Sequence, residues 1–207
     1  MGSARKYIAV AGNMGVGKSS LVRFLCRQYD LQPFFEPNED NPYLEDFYGD
    51  MRRWAFHSQV YFLSRKFRIH QQLEAARSRR PVIQDRTIYE DAEIFAENLF
   101  RSRRMQKRDY ETYQGLYQSI VAALRPPDVM IYLRANLRTL KRRIRGRGRP
   151  EEQSIPDRYL RRLNQLYEEW FARYDLSPSV IIETDQIDYV TDLVDRLDLM
   201  ARIQTYL

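Results

Sequence analysis

The stretch Gly12-Asn13-Met14-Gly15-Val16-Gly17-Lys18-Ser19-Ser20 follows an apolar run, Tyr7 to Ala11, and precedes an apolar helical pattern that begins at Leu21. Its spacing, G-x-x-x-x-G-K-S, is that of the phosphate-binding P-loop. The glycines let the backbone curl until successive N–H groups point inward, and such a ring at a helix N-terminus binds anions. A glycine-rich turn with a chance lysine is the alternative, but the apolar patterns on either side favour the P-loop.

Every residue of this stretch, from Gly12 to Ser20, is therefore a candidate ligand for the phosphates of a nucleoside triphosphate. We expect Lys18 to reach the β- and γ-phosphates and Ser19 to place its hydroxyl on Mg²⁺. The motif identifies the donor of a phosphoryl group. The acceptor has to be identified from the rest of the chain.

The composition of the 207-residue chain is that of one globular domain, which we expect to span residues 1–207. Hydrophobic residues make up 43% of the chain, so a disordered protein is not expected. No apolar run approaches the ~18 residues of a membrane span, and the first expected strand leaves no room for a signal peptide. The single cysteine, Cys26, excludes an internal disulfide. We expect a cytoplasmic protein without a membrane partner.

The net charge of the chain is +6, and most of its basic residues are arginines. A basic protein can bind nucleic acid, and arginine makes planar, bidentate contacts with phosphates. However, the arginines are spread over many expected helices, with one dense run from Arg142 to Arg149. Because no nucleic-acid recognition motif accompanies the charge, we expect no nucleic-acid partner.

Short apolar runs alternate with helical patterns along the whole chain. Strands are predicted at 6–11, 32–36, 81–85, 128–133 and 179–183. Helices are predicted at 18–29, 43–48, 51–78, 88–102, 107–124, 136–146, 156–174 and 189–204. This alternation predicts an α/β fold of the P-loop kinase type, in which helices flank a five-stranded parallel sheet. Ligands of such sheets bind at the carboxyl ends of the strands, so residues that follow the strands are the candidates for chemistry.

Carboxylates follow three of these strands, and those of the second and third strands are candidates for chemistry. Glu36 ends the second strand, and Pro37 keeps its backbone extended, so Glu36 is expected to face the crevice and act as a base on a hydroxyl acceptor. Asp85 ends the third strand and is expected to hold Mg²⁺ through water. Arg86, beside it, would hold Glu36 or the transferring phosphate. A solvated glutamate and a strand-end ion pair are the plain alternatives.

Residues of about 145–153 combine arginines with two glycines and a proline, which are expected to end the preceding helix and form a mobile lid. Arg147 and Arg149 would stabilise the charge on the transferring phosphoryl group. A solvated basic helix end is the alternative. A further candidate is Gln59, which lies among aromatic residues on the predicted helix 51–78. Its amide could form hydrogen bonds with the edge of a nucleobase or with the backbone.

Taken together, Gly12 to Ser19, Glu36-Pro37, Asp85-Arg86-Thr87 and Arg147-x-Arg149-x-x-Glu152 resemble the motifs of the deoxyribonucleoside kinases. The resemblance extends through Ile94-Phe95-Ala96-Glu97-Asn98-Leu99 and covers Tyr7 to about Asp188. It implies ATP-dependent phosphorylation of a deoxynucleoside at its 5′-hydroxyl in nucleotide salvage. It also implies a homodimer, because members of the family are usually dimeric.

The resemblance assigns roles to particular residues. Glu36 matches the catalytic base, Arg86 the arginine beside it, and Asp85 the acid near Mg²⁺. The remaining matches concern the substrate: Tyr48 and Glu152 hold the 3′-hydroxyl of the sugar, Gln59 reads the base edge, Phe95 stacks on the base, Arg147 and Arg149 are the lid arginines, and Asp188 falls near the adenine-binding loop for ATP.

Asp91 bears on the choice of base. Members that accept purines or deoxycytidine carry an acid here, with a basic partner on the Gln59 helix that Lys66 or Arg65 could provide. The short segment from Glu36 to Pro42 looks like bacterial purine deoxynucleoside kinases. We therefore expect deoxyadenosine or deoxyguanosine as substrate, with deoxycytidine as a possible further one.

Other functions remain as alternatives. A nucleoside monophosphate kinase, such as a thymidylate kinase, shares the P-loop, the Asp-Arg pair and the arginine lid. It would need an arginine beside the strand-two acid to bind the acceptor phosphate, whereas Phe35 precedes Glu36. A GTPase would need an Asn-Lys-x-Asp sequence, which the chain lacks. A basic nucleic-acid adaptor is the third alternative.

Overall fold

The structure is a computed structural model that describes residues 5–35, 41–153, 155–187 and 192–206. Glu36 and Asp188, to which the sequence assigns roles, lie outside the described residues. The five strands are β1 (Tyr7–Ala11), β2 (Gln32–Phe34), β3 (Val82–Asp85), β4 (Val129–Arg134) and β5 (Ser179–Glu183). They form one parallel sheet in the order β2-β3-β1-β4-β5, which confirms the predicted α/β class.

Helices follow each strand. In chain order they are α1 (Lys18–Gln28), α2 (Leu44–Gly49), α3 (Met51–Arg77), α4 (Ile88–Glu90), a π-helical turn (Asp91–Ala96), α5 (Glu97–Arg101), α6 (Lys107–Val121), α7 (Leu137–Arg147), α8 (Pro150–Gln153), α9 (Asp157–Phe171) and α10 (Leu193–Gln204). Several begin at side-chain caps, as at Asn136, whose Oδ1 accepts the backbone N–H of Thr139 at 2.9 Å.

The two faces of the sheet carry separate apolar layers. Because side chains alternate along a strand, Tyr7 and Ala9 of β1 face a layer that includes α3, α6 and α9. Ile8 and Val10 face the opposite layer, which includes α1, α7 and α10. The central strand β1 is buried throughout, so the loop that follows it starts from a rigid element.

Two predicted helices need correction. The segment 88–102 is not one α-helix, because the π-helical turn Asp91–Ala96 interrupts it. Such a turn accommodates an extra residue per turn, which apolar periodicity does not reveal. The helix predicted to end at 146 continues through Gly146 to Arg147 and ends at Gly148, whose φ of 74° is left-handed. The predicted break was therefore placed too early.

The longest helix, α3, is 27 residues long but carries many charged residues. Within the described ranges, no helix combines the length and the apolar character that a membrane span requires.

Candidate active site

The P-loop has the backbone that its glycines predict. Gly12, Gly15 and Gly17 have φ values of 142°, 78° and 110°, a region that other residues rarely adopt. A Cβ on Gly12 would lie 2.6 Å from the carbonyl oxygen of Leu133. The loop therefore excludes a side chain at Gly12, and the P-loop packs directly against the end of β4.

The side chains of the P-loop divide between the cleft and the protein interior. Lys18 is buried, and its ammonium donates to the carbonyl oxygens of Gly12 at 2.8 Å and Asn13 at 3.2 Å. The Asn13 amide instead donates to Leu160 and Asn164 on α9. Asn13 can thus reach a phosphate only through its backbone.

Of the other loop residues, Val16 is fully buried in the apolar layer of α1, so that it too offers only backbone groups. Met14 and Gly15 line the cleft, as do Lys18 and Ser19. Ser20 is exposed on the first turn of α1, outside the cleft lining.

The expected Mg²⁺ ligands lie together. Asp85 ends β3 in register with Val10, and its Oδ2 accepts a hydrogen bond from the hydroxyl of Ser19. The other carboxylate oxygen of Asp85 is buried and has no hydrogen-bond partner among the described residues. One carboxylate with a spare oxygen and one hydroxyl fit Mg²⁺, which keeps several waters and needs few protein ligands.

Arg86 occupies a strained corner after β3. Its φ is 62°, left-handed for a residue with a side chain, and its N–H donates to the Val10 carbonyl oxygen at 3.0 Å. The guanidinium lies 4.6 Å from the ring centre of Phe95 and 3.9 Å from Glu90. The buried ammonium of Lys66 donates to the Arg86 carbonyl oxygen at 2.7 Å. These contacts direct the Arg86 side chain into the cleft.

Glu90 is a residue that the sequence reasoning missed. It is fully buried, and its carboxylate accepts the N–H of Gly12 at 3.2 Å, the N–H of Thr87 at 2.8 Å and the Tyr167 hydroxyl at 2.9 Å. Glu90 thus joins the P-loop to the Asp85-Arg86-Thr87 corner. The T-x-x-E pattern of a capping box predicts only its bond to Thr87.

The expected substrate residues line the same cleft, in a wall formed by α2, α3 and the π-helical turn. Tyr48 comes from α2, Gln59 from α3, and Asp91 and Phe95 from the π-helical turn. The side-chain oxygen of Gln59 is buried without a hydrogen-bond partner among the described residues. Such an orphaned acceptor fits a ligand that donates a hydrogen bond.

Tyr159 of α9 also lines this wall and was not predicted. Burial, together with the neighbouring Tyr48, raises the pKa of Tyr159 above its ordinary value. A tyrosine hydroxyl is protonated at neutral pH even at its ordinary pKa, so Tyr159 can donate a hydrogen bond in the cleft.

The segment 145–153 begins with the last turn of α7 and ends with α8. Glu152 is buried, and Arg147 donates to its carboxylate from Nε at 3.1 Å and from a terminal nitrogen. Arg149 lies 3.5 Å from the same carboxylate. Both arginines line the cleft but are held by Glu152, so contact with a phosphate requires their ion pairs to open or to be shared.

One cleft of about 380 Å³ joins these groups. Among its described lining residues, five are cationic and three are acidic: Lys18, Arg23, Arg86, Arg147 and Arg149 against Asp85, Asp91 and Glu152. The excess of positive charge suits an anionic ligand.

The position of Glu36 and the remaining lining residues complete the cleft. Glu36 lies outside the described residues, directly after Phe35, which lines the cleft. Arg23, Phe35, Leu44, Phe47 and Phe62 are further lining residues without an assigned role in the sequence analysis.

A parallel sheet with a P-loop after its central strand, and a cleft that joins this loop to a polar and aromatic wall, define a nucleotide-dependent phosphotransferase. The chain belongs to the deoxynucleoside kinase family, whose family model matches residues 8–207. The protein is therefore an enzyme, a kinase of deoxynucleosides.

Its relatives match most of the chain. A deoxyadenosine/deoxycytidine kinase of Bacillus subtilis is 36% identical over 187 residues, which cover 89% of this chain and 85% of the relative. A deoxyguanosine kinase of Lactobacillus acidophilus is 34% identical and covers 95% of this chain and 88% of the relative. The structure of a deoxyadenosine kinase from M. mycoides with bound dATP superimposes with a TM-score of 0.81 at 32% identity, covering 97% of this chain and 100% of that one.

Proposed function

We propose that this kinase transfers the γ-phosphate of ATP to the 5′-hydroxyl of a purine deoxyribonucleoside, deoxyadenosine or deoxyguanosine, and accepts deoxycytidine as a further substrate. The observation that carries the proposal is the single cleft in which the P-loop faces Tyr48, Gln59, Asp91 and Phe95. A phosphate donor and a nucleoside acceptor can meet there. The relatives named for deoxyadenosine, deoxycytidine and deoxyguanosine support this range of acceptors.

In this proposal the donor half consists of the P-loop from Gly12 to Ser20. Lys18 leaves the carbonyl oxygens that it contacts and neutralises charge on the β- and γ-phosphates. Ser19 and Asp85 hold Mg²⁺, which when bound offsets the charge on the phosphates. The spare oxygen of Asp85 supports this assignment.

In this proposal the acceptor half of the cleft binds the deoxynucleoside, orients it and accepts the proton of its 5′-hydroxyl. Glu36 removes the proton of the 5′-hydroxyl, and Arg86 holds the 5′ region from its corner after β3. Tyr48 and Glu152 bind the 3′-hydroxyl, and Gln59 and Asp91 read the base while Phe95 stacks on it. The orphaned oxygen of Gln59 supports its part in this wall, since a nucleobase offers N–H groups.

We extend the proposal to Arg147 and Arg149, as phosphate ligands on a lid of about residues 145–153. Because Glu152 binds both arginines and would also bind the sugar, arrival of the acceptor would release them toward the phosphates. Residues 1–207 would form one domain, and the enzyme would act in the cytoplasm as a homodimer.

The acceptor range can be tested with ATP, Mg²⁺ and a panel of deoxynucleosides and their monophosphates. We expect phosphorylation of deoxyadenosine or deoxyguanosine with the highest kcat/KM, followed by deoxycytidine, as measured by the formation of labelled product. Omission of Mg²⁺ should abolish it. Phosphorylation of thymidine monophosphate without phosphorylation of any nucleoside would contradict the proposal and favour a monophosphate kinase.

Replacing the base should slow the chemical step. We expect Glu36→Gln to lower kcat by about 10²-fold or more, the usual size of a general-base contribution, because the amide cannot accept the proton. The assay is kcat at saturating ATP and nucleoside. Glu45→Gln is a matched control, because Glu45 is exposed on α2 and does not line the cleft. Full kcat in the Glu36 variant would remove Glu36 from this role.

A further inference from the structure

Arg23 lines the cleft from an exposed position on α1 and has no assigned role. It follows Ser19 by four residues on α1, so both side chains lie on the same face of the helix. Its guanidinium carbon lies 4.6 Å from the ring centre of Phe35, the residue that directly precedes Glu36. Arg23 therefore lies between the phosphate-binding end of α1 and the segment that follows β2.

Arg23 differs from the other arginines of the cleft in its contacts with carboxylates. Arg86 lies near Glu90, and Arg147 and Arg149 are held by Glu152. Within the described part of the chain, no carboxylate forms an ion pair with Arg23, whose guanidinium lies over the ring of Phe35. Among the described residues, no anion therefore competes with a ligand for Arg23.

The guanidinium of Arg23 suits a phosphate. Its N–H groups form a planar fork that can bind two phosphate oxygens side by side, and its position over the ring of Phe35 leaves this fork intact. The sequence places Phe35 before Glu36, where a kinase with a phosphorylated acceptor would need an arginine. The tertiary structure brings Arg23 of α1 over the ring of Phe35, so an arginine lies next to that position.

We propose that Arg23 binds the 5′-phosphate of a deoxynucleoside 5′-monophosphate in the acceptor half of the cleft. This inference rests on the proposed function, since that phosphate is the one the kinase adds. The P-loop holds the donor phosphates at the N-terminus of α1, whereas Arg23 lies one turn farther along, against the segment that leads to Glu36. Arg23 would therefore distinguish the product from the nucleoside and hold the product after transfer.

The test compares the binding of deoxyadenosine monophosphate, deoxyadenosine and a non-hydrolysable ATP analogue by titration calorimetry. Arg23→Gln retains part of the stem over Phe35 but removes the charge. We expect this variant to bind the monophosphate at least about tenfold more weakly, as expected for loss of a hydrogen bond to a charged group. Its affinity for deoxyadenosine should change by less than about twofold, because a nucleoside offers no phosphate to this side chain.

Two further variants sharpen the result. Arg27→Ala removes the same charge one turn farther along α1. Arg27 is exposed, as Arg23 is, but does not line the cleft, so all three affinities should stay unchanged. Arg23→Lys should restore part of the monophosphate affinity, since it retains the charge without the planar fork.

Three results would overturn the inference: unchanged monophosphate affinity in Arg23→Gln, an equal loss of deoxyadenosine affinity, or a loss confined to the ATP analogue. The second would assign Arg23 to packing against Phe35, and the third would place it in the donor half. Failure of the wild-type protein to phosphorylate any nucleoside, with monophosphate binding still dependent on Arg23, would instead overturn the proposed function alone.

Discussion

Glu90→Ala should lower the free energy of unfolding by about 4 kcal/mol, since several buried donors lose their acceptor at about 1–3 kcal/mol each. These donors are the N–H groups of Gly12 and Thr87 and the hydroxyl of Tyr167. Arg86, 3.9 Å away, also loses its buried anion. For a chain of this size, the loss corresponds to a fall in Tm of about 10 °C or more. Chemical denaturation and calorimetry measure both quantities.

Two further variants show how much of this fall in the free energy of unfolding comes from the buried hydrogen bonds of Glu90. Tyr167→Phe removes one of the donors and should cost about 1 kcal/mol. Glu93→Ala, from the same region, removes a partly exposed ion pair with Arg173 and should cost less than about 1 kcal/mol. A Glu90→Ala variant that is no less stable than Glu93→Ala would show that the carboxylate does not hold the P-loop to its corner.

Lys18→Ala should lower kcat/KM for ATP by about 10² to 10³-fold, the usual cost of removing one preorganised donor from the transition state. The lysine is 7% exposed, and its ammonium rests on the carbonyl oxygens of Gly12 and Asn13, beside the space that the phosphates would occupy. Steady-state kinetics at varied ATP concentration measure the loss. Deoxynucleoside binding should remain, because the proposed function places Lys18 in the donor half.

Lys141→Ala is the matched control for this lysine. Lys141 pairs with Asp157 at 2.6 Å on the outer side of α7 and does not line the cleft, so its removal should leave kinetics unchanged. Activity of Lys18→Ala within about tenfold of the wild type would contradict the proposed role in binding the phosphates. Thermal unfolding of both variants would show whether a loss of activity reflects a loss of folded protein.

Much of the fold could be predicted because its signals are local. The P-loop depends on glycines that lie within one turn of chain, and each strand is a short apolar run. The rule that parallel strands present their ligands at one edge then places Ser19, Asp85 and Arg86 together before any contact is known. Two predictions were wrong because the residue pattern does not reveal the backbone conformation. Apolar periodicity does not indicate the π-helical turn at Asp91–Ala96, and the glycine at position 146 does not end α7.

The sequence by itself determined the class of fold, the position of the P-loop and the family to which the chain belongs. These follow from residue types at fixed short spacings, whose geometry the backbone imposes. Only the tertiary structure decided that Glu90 ties Gly12 to Tyr167 and that Arg23 lies over the ring of Phe35. The physical reason is that such contacts join different elements, which for Glu90 lie far apart along the chain. They depend on how the helices pack against the sheet, which no short stretch of sequence specifies.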